Sequence, residues 1–382
     1  MTEKSINRPP VMQYCKKCLY PMISVNNMFD DYGICSACRM YEEFDDLNPD
    51  FWIKRERKFK EIIQKSKTKG NYDCIVAVSG GKDSYFQVHK ILEYGMKPLL
   101  VTYHGNNYLP EGQRNLDRMR YVFNADHIIF GPSVDTLIKL NRLCFKKMGD
   151  MNWHAHAGIK TYPMHIAVKL EIPLVVWGEI TWSISGMFSP DDYVEYNKRT
   201  VLEHDLRGFT LYDMIEETEG LSEKDLVWLK MPSDEEFEKS GVRGIYIGNF
   251  FKWDPNQHAH KMKEMYDFEF AKEPFERTYR TISNLDDMHE NGVHDYMKYI
   301  KFGYGRATDH ASKDIRSGYM TREKGIEMVR KYDHVKSRDL KRWLEYVSIS
   351  EEEFDRIADT FRDKRVWWKD DNGEWKKDNI WD

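Results

Sequence analysis

No run of apolar residues in this sequence is long enough to span a bilayer, and no segment has the pattern of a signal peptide. Low-complexity tracts and internal repeats are also missing, which excludes solenoids, propellers and long flexible linkers. There is no excess of basic charge: 58 Lys and Arg face 63 Asp and Glu, a formal net charge of −5. That balance offers no positive field to hold a long nucleic acid, so no nucleic-acid partner is expected. Cysteine is scarce, six residues in all, and none sits in the Gly-x-Cys-x-Gly elbow of a built-in glutaminase. The chain opens Met1-Thr2, so a nucleophilic N-terminal cysteine is not expected either. What remains has an ordinary soluble balance: 382 residues, 41% hydrophobic and 32% charged, room for two or three domains. A cytoplasmic enzyme without membrane insertion is the expectation.

Along the chain, three regions differ in pattern. Residues 1–50 carry two close cysteine pairs and turn-forming residues, and read as a small zinc-ribbon module. Residues 51–250 begin with a helix whose apolar face holds Trp52, Phe59, Ile62 and Ile63. Short apolar runs then alternate with helical stretches. The runs are Asp73–Val78, Pro98–Tyr103, His127–Phe130 and Ile172–Trp177, with Ile245–Gly248 as a possible extra strand. Strands without polar alternation, separated by helices, predict an α/β fold with a doubly wound parallel sheet buried on both faces. Thr210–Glu219 and Ser222–Met231 read as further helices, and Asn152–His156 as a polar aromatic loop. Residues 251–382 read as a mostly helical C-terminal region, with helices near 322–332, 338–347 and 350–364. Its late tryptophans, Trp367, Trp368, Trp375 and Trp381, are expected to dock on the body or on a partner.

Two motifs carry chemistry. Cys15-x-x-Cys18 and Cys35-x-x-Cys38, with sixteen residues between the pairs, have the spacing of a closed four-thiolate site, so Zn²⁺ is expected there in a structural role. The second is Ser79-Gly80-Gly81-Lys82-Asp83-Ser84, directly after Val78 at the end of the first strand. A strand that ends in glycines and runs into a helix turns backbone N–H groups toward an anion, and the helix dipole favours that charge. Ser79 and Ser84 add hydroxyl donors and Lys82 adds a cation. Asp83 fits an anion site only with a cation present, and is assigned to Mg²⁺. In a parallel sheet the ligand lies at the carboxyl ends of the strands, so Thr102, Tyr103, His104, Gly178 and Glu179 face the same crevice.

The loop resembles the SGGxDS signature of the ATP-pyrophosphatase (PP-loop) superfamily and differs from a Walker A loop. The order of parts, a cysteine pair at 15 and 18, Gly33-Ile34-Cys35-Ser36-Ala37-Cys38 and then the loop, resembles the N-acetyl sugar amidotransferases of the WbpG/PseA-like kind. Val175–Glu179, Tyr299–Thr308 and Ile315–Glu323 agree with that family as well.

The resemblance implies cofactors ATP, Mg²⁺ and Zn²⁺, and an acetamido sugar converted to an acetamidino sugar through an O-adenylyl imidate, with AMP and pyrophosphate released. It also implies ammonia from a HisH-like glutaminase working with a HisF-like barrel protein. Lys82, Asp83 and Glu179 are the expected catalytic residues. Val78 to Ser84, Thr102, Tyr103 and Gly178 are expected on the nucleotide, and His104, Trp153, His154, Lys301 and Arg306 on the sugar. Lys301 and Arg306 suit a carboxylate or diphosphate, and read equally as a salt-bridged helix end. A PP-loop enzyme that thiolates tRNA is the competing class, but it generally needs cysteines near the crevice. Cys74 starts the first strand at its far end, and Cys144 falls inside a predicted helix.

Overall fold

The computed structural model describes residues 8–25, 27–68, 70–105, 107–178, 188–282 and 288–382. Five parallel strands form its centre: β1 Cys74–Ala77, β2 Pro98–Tyr103, β3 His127–Phe130, β4 Leu174–Trp177 and β5 Arg243–Tyr246, in the order β3-β2-β1-β4-β5. The alternation of side chains along each strand sorts the apolar runs onto two faces. Val76, Leu100, Leu174, Val176 and Ile245 point to one core, shared with Phe59, Val88, Ile91 and Phe250. Ile75, Leu99, Val101, Val175 and Tyr246 point to the other, shared with Met164, Ala167 and Ile172. Both faces are covered, which is why the strands read as unbroken apolar runs. The strand order reverses between β1 and β4, and the crevice of such a sheet opens beyond their carboxyl ends.

The sequence boundaries hold closely for the sheet and shift elsewhere. The extra strand lies two residues earlier than expected, and Ile247–Asn249 is a short turn. The helix after β2, Pro110–Val122, begins on a proline, which at the first helical position needs no hydrogen-bonded N–H. The two helices expected over 210–231 are three short 3₁₀ turns, Leu211–Met214, Glu217–Glu219 and Glu223–Leu229. Thr210 with Asp213 and Ser222 with Asp225 form capping boxes that start a turn, and left-handed Gly220 ends the middle one. The expected loop at 152–156 is instead the start of a helix, Trp153–Leu170. It lies against β2 because Gly158 has no Cβ; one would meet the Tyr103 ring at 2.5 Å.

The C-terminal helices pack onto the sheet region: Phe145 lies in one cluster with Val293, Met297, Trp343 and Phe354. The late tryptophans are used within the chain. Trp367 is buried, Arg362 stacks over Trp367 and Trp375, Trp375 donates to Asp359 and Trp381 packs beside Leu19. Among the described residues no helix is long and apolar enough to cross a membrane.

The cysteine module is gripped by this region. Leu19 is buried against Ala311 and Val329, and its N–H donates to Ser312 Oγ at 3.3 Å. Arg322 donates to the carbonyls of Cys18 (3.3 Å) and Cys15 (3.4 Å). Arg316, only 7% exposed, points its guanidinium at Cys18 Sγ, 3.8 Å away. Removing one member of a buried charge pair leaves the other uncompensated, at a cost of about 3–5 kcal/mol. Arg316→Met should therefore weaken the module and the helices around it together. Limited proteolysis should show faster cleavage on both sides of the contact; cleavage confined to residues 8–48 would contradict this coupling.

Candidate functional site

The loop after β1 is built for close approach. Gly80 has a left-handed φ of +89°, and a Cβ there would lie 2.9 Å from Leu116 Cα. Gly81 caps the helix Lys82–Glu93, so the free N–H groups of its first turn face the crevice. Ser84 Oγ accepts the Ser79 N–H at 2.9 Å and lies 3.3 Å from Ser79 Oγ. Lys82, 2% exposed, pairs with Asp83 Oδ2 at 2.9 Å. Asp83 Oδ1 is buried and has no protein partner. A buried carboxylate oxygen left open can serve as one ligand of a cation such as Mg²⁺.

Residues that the sequence reading did not single out complete this corner. Gln87 lies one helical turn after Asp83, and a Cβ on Gly178 would lie 2.4 Å from Gln87 Nε2, so a side chain at the exit of β4 would displace the Gln87 amide. The His258 imidazole stacks on Phe86 with centroids 3.5 Å apart, and Trp253 meets both rings edge-on. Burial pushes His258 down to about 4, although the Asp83 carboxylate pulls the other way, so it is neutral. Asp83 Oδ1, Gln87 Oε1, His258 Nδ1 and Trp253 Nε1 are all buried without a protein partner. Four open polar atoms gathered around one helix face mark a place where a ligand completes the hydrogen bonding. Gln87 shares a face with Asp83, a spacing that was available in the sequence; His258 and Trp253 lie 170 or more residues away, with no local signal.

The other expected site residues are placed as follows. Val78 is tied into the sheet by its N–H on the Val101 carbonyl, and its own carbonyl accepts the Thr102 hydroxyl at 2.7 Å. Thr102 Oγ1 also meets His127 Nε2 at 2.8 Å, so its side chain serves the sheet. Tyr103 is buried, stacked on Trp228, with its hydroxyl 2.9 Å from His154 Nδ1. Trp153 and His154 do not form an exposed sugar loop. Trp153 is fully buried with its indole N–H on the Leu206 carbonyl. His154 lies between Tyr103 and Asn141, and burial pushes it down to about 4, so it is a neutral core histidine. His104 packs against Tyr108 and lies 3.3 Å from Gln113 Oε1.

Glu179 falls outside the described residues. Arg306 donates to Asp295 Oδ2 at 2.8 Å, which is the salt-bridged helix end weighed against it. Lys301 lines a different cavity, one with no loop residue in its wall.

The four cysteines converge. Their sulfurs lie within 4.8 Å of one another, with Cys15–Cys38 at 3.9 Å and Cys18–Cys35 at 3.6 Å. None is in a disulfide. A tetrahedron with Zn–S bonds of about 2.3 Å has edges of about 3.8 Å, so the set fits zinc with no open coordination position.

Residues 265–380 match the family model described as "LPS biosynthesis protein WbpG-like, C-terminal domain". No curated protein matches the chain.

Two outcomes follow from this geometry. Elemental analysis should find one zinc per chain, and Cys35→Ser should lose it. Gly80→Ala should destabilise the loop by about 1–3 kcal/mol, through the left-handed backbone and the Leu116 contact. Faster hydrogen exchange across 78–84 would register the second effect, and unchanged exchange would refute it.

Proposed function

We propose, from a chain whose residues 265–380 belong to the WbpG-like family of LPS biosynthesis proteins, that it is an AMP-forming amidotransferase of the PP-loop type acting on an acetamido sugar. The observation that carries this reading is the glycine turn at Gly80 and Gly81, with a buried Lys82–Asp83 pair that leaves Asp83 Oδ1 open at a helix N-terminus. An amide carbonyl is a poor electrophile and its oxygen a poor leaving group. ATP, the co-substrate, solves both problems. The acetamido oxygen attacks the α-phosphorus, the bond to pyrophosphate breaks, and an O-adenylyl imidate forms. Ammonia adds to the imidate carbon, a proton is lost, the C–O bond breaks with AMP leaving, and an acetamidine remains.

In this reading the chain's part is mostly positioning and charge. The N–H groups at the start of Lys82–Glu93 and the Ser79 and Ser84 hydroxyls hold the phosphates, and Lys82 neutralises them in a water-poor site, where such charge is worth most. Asp83 would hold Mg²⁺, which would supply positive charge against the phosphates. Gly178 keeps the exit of β4 open beside Gln87. Glu179, next in sequence after Gly178, is proposed as a catalytic residue.

The competing tRNA thiolase has little support: Cys74 and Cys144 are fully buried, and burial raises both thiols far above the ordinary range. Ammonia is assigned to a separate glutaminase, HisH-like and served by a HisF-like barrel. The late tryptophans make contacts within this chain, so they do not by themselves mark its docking face.

Incubation with an acetamido sugar, ATP, Mg²⁺ and ammonium should give AMP, pyrophosphate and a sugar whose carbonyl oxygen is replaced by NH, seen by chromatography and mass spectrometry. Asp83→Ala should reduce turnover by about 10²-fold or more, the scale of a lost electrostatic partner in a preorganised site. Turnover with ammonium should rise with pH as NH₃ is released from NH₄⁺, and glutamine alone should support none. ADP and orthophosphate as products would reject the mechanism.

A further inference from the structure

A cavity of about 760 Å³ lies where four parts of the chain meet. Its walls come from the cysteine module (Tyr20, Ser24), the turn at Gly149-Asp150, the segment 203–207 and the helix His289–Phe302 with Tyr304 beyond it. The segment 203–207 begins in a π-helical turn, Val201–Asp205, closed by the Leu206 N–H on the Val201 carbonyl at 2.9 Å. Such wide turns are rare and recur where side chains are aimed at a site. This one delivers Glu203, His204 and Arg207 to the cavity.

The charges in the wall are matched, with one exception. Asp150, 1% exposed, is committed to Arg207, to His294 Nδ1 at 2.8 Å and to the Asn152 N–H. Lys298 is paired with Asp309, and Glu203 with Arg199. Lys301 is the exception. Its ammonium donates to the carbonyls of Met148 (3.0 Å) and Gly149 (3.3 Å), and no carboxylate among the described residues lies within ion-pair distance. Two of its three N–H bonds are used, and one remains. Burial lowers Lys301 to about 8, and Asp150 acts in the opposite direction, so it is still a cation at neutral pH. A cation that is largely out of water and lacks a counter-ion is costly to keep, unless an anion arrives. The Phe302 and Tyr304 rings and the Ser24 hydroxyl supply the apolar and polar surfaces that a pyranose presents in turn.

We propose that this cavity is the binding site for an anionic sugar, its carboxylate or phosphate on Lys301 and its ring against Tyr304 and Phe302. The assignment rests on the sugar chemistry proposed above and deepens it. It separates Lys301 from Arg306, whose guanidinium is held by Asp295 outside this wall. It also gives the cysteine module a share in the substrate site through Tyr20 and Ser24.

The test needs neither ATP nor turnover, so its failure is distinct from failure of the adenylylation mechanism. Saturation-transfer NMR on the zinc-loaded full chain would compare N-acetylneuraminic acid, its methyl ester, N-acetylglucosamine and N-acetylglucosamine 6-phosphate. The acid, the phosphate or both should bind about ten-fold tighter than the neutral sugars, and which of them does identifies the anion. Lys301→Met should abolish the preference and Lys301→Arg should keep much of it. Because Lys301 also holds two carbonyls, a readout on unaltered protein stands beside the variants. The preferred acid or phosphate should protect Lys301 from reductive methylation, measured by peptide mass spectrometry, and the neutral sugars should not. Equal binding of charged and neutral sugars, a preference that survives Lys301→Met, or equal protection by both would each overturn the proposal.

Discussion

The buried guanidinium of Arg316 against the cysteine sulfurs is the contact on which the arrangement of this molecule turns. Four thiolates around one divalent zinc carry a net charge of −2, which a largely dry site must offset. Arg316 supplies a permanent cation, and at 7% exposure it cannot reorient into solvent without breaking the packing around it. Arg322 adds hydrogen bonds to two carbonyls of the same module. The helix Arg306–Arg316 is thereby fixed at its far end by the cysteine cluster of residues 15–38. That helix also carries Asp309, which holds Lys298 and Tyr20, and His310, which burial and four surrounding cations including Lys82 keep neutral. The cysteine cluster and this helix are mechanically coupled.

The sheet was legible in the sequence because its signal is local. A strand buried on both faces is an apolar run, and four of five strands lie where such runs lie. The glycine turn after β1 and the clustering of the cysteine pairs were legible for the same reason, each being compact in sequence. The errors at Trp153 and across 210–231 have a different source. His154 in a polar-looking stretch reads as exposed, and only the tertiary partners Tyr103 and Asn141 make it a core residue. The segment 210–231 has good caps but gains more by wrapping Leu211, Met214, Leu226 and Trp228 onto the Trp153 cluster than by extending a helix.

Side chains recruited from far along the chain were invisible for a plain reason: Trp253, His258 and Arg316 reach their partners through folding, not spacing. The stretch from Ile315 to Glu323 stood out as family-like without a role; Arg316 and Arg322 supply the role, both spent on the cysteine module. The four unpartnered atoms around Asp83 and Gln87, and the counter-ion that Lys301 lacks, show the same economy in two places. Each is a buried or half-buried polar group short of partners among the described residues, and around Asp83 four such atoms cluster. Such groups are tolerated where a ligand makes up the difference.

The packing of Trp381 beside Leu19, with Arg8 and the Met12 N–H on the Asp378 carboxylate and the Tyr14 hydroxyl on its carbonyl, has a consequence for biogenesis. The ribosome delivers the cysteine module well before Ala311, Val329 and Trp381, which pack around Leu19 of that module. Loop closure over most of the chain must precede that burial, and contacts this distant form slowly. In the interval the module has no apolar shelter, and the four thiols stand exposed to oxidation. A metal captured early by the four cysteines would then protect the sulfurs and hold their geometry until the residues from 311 onward close over them.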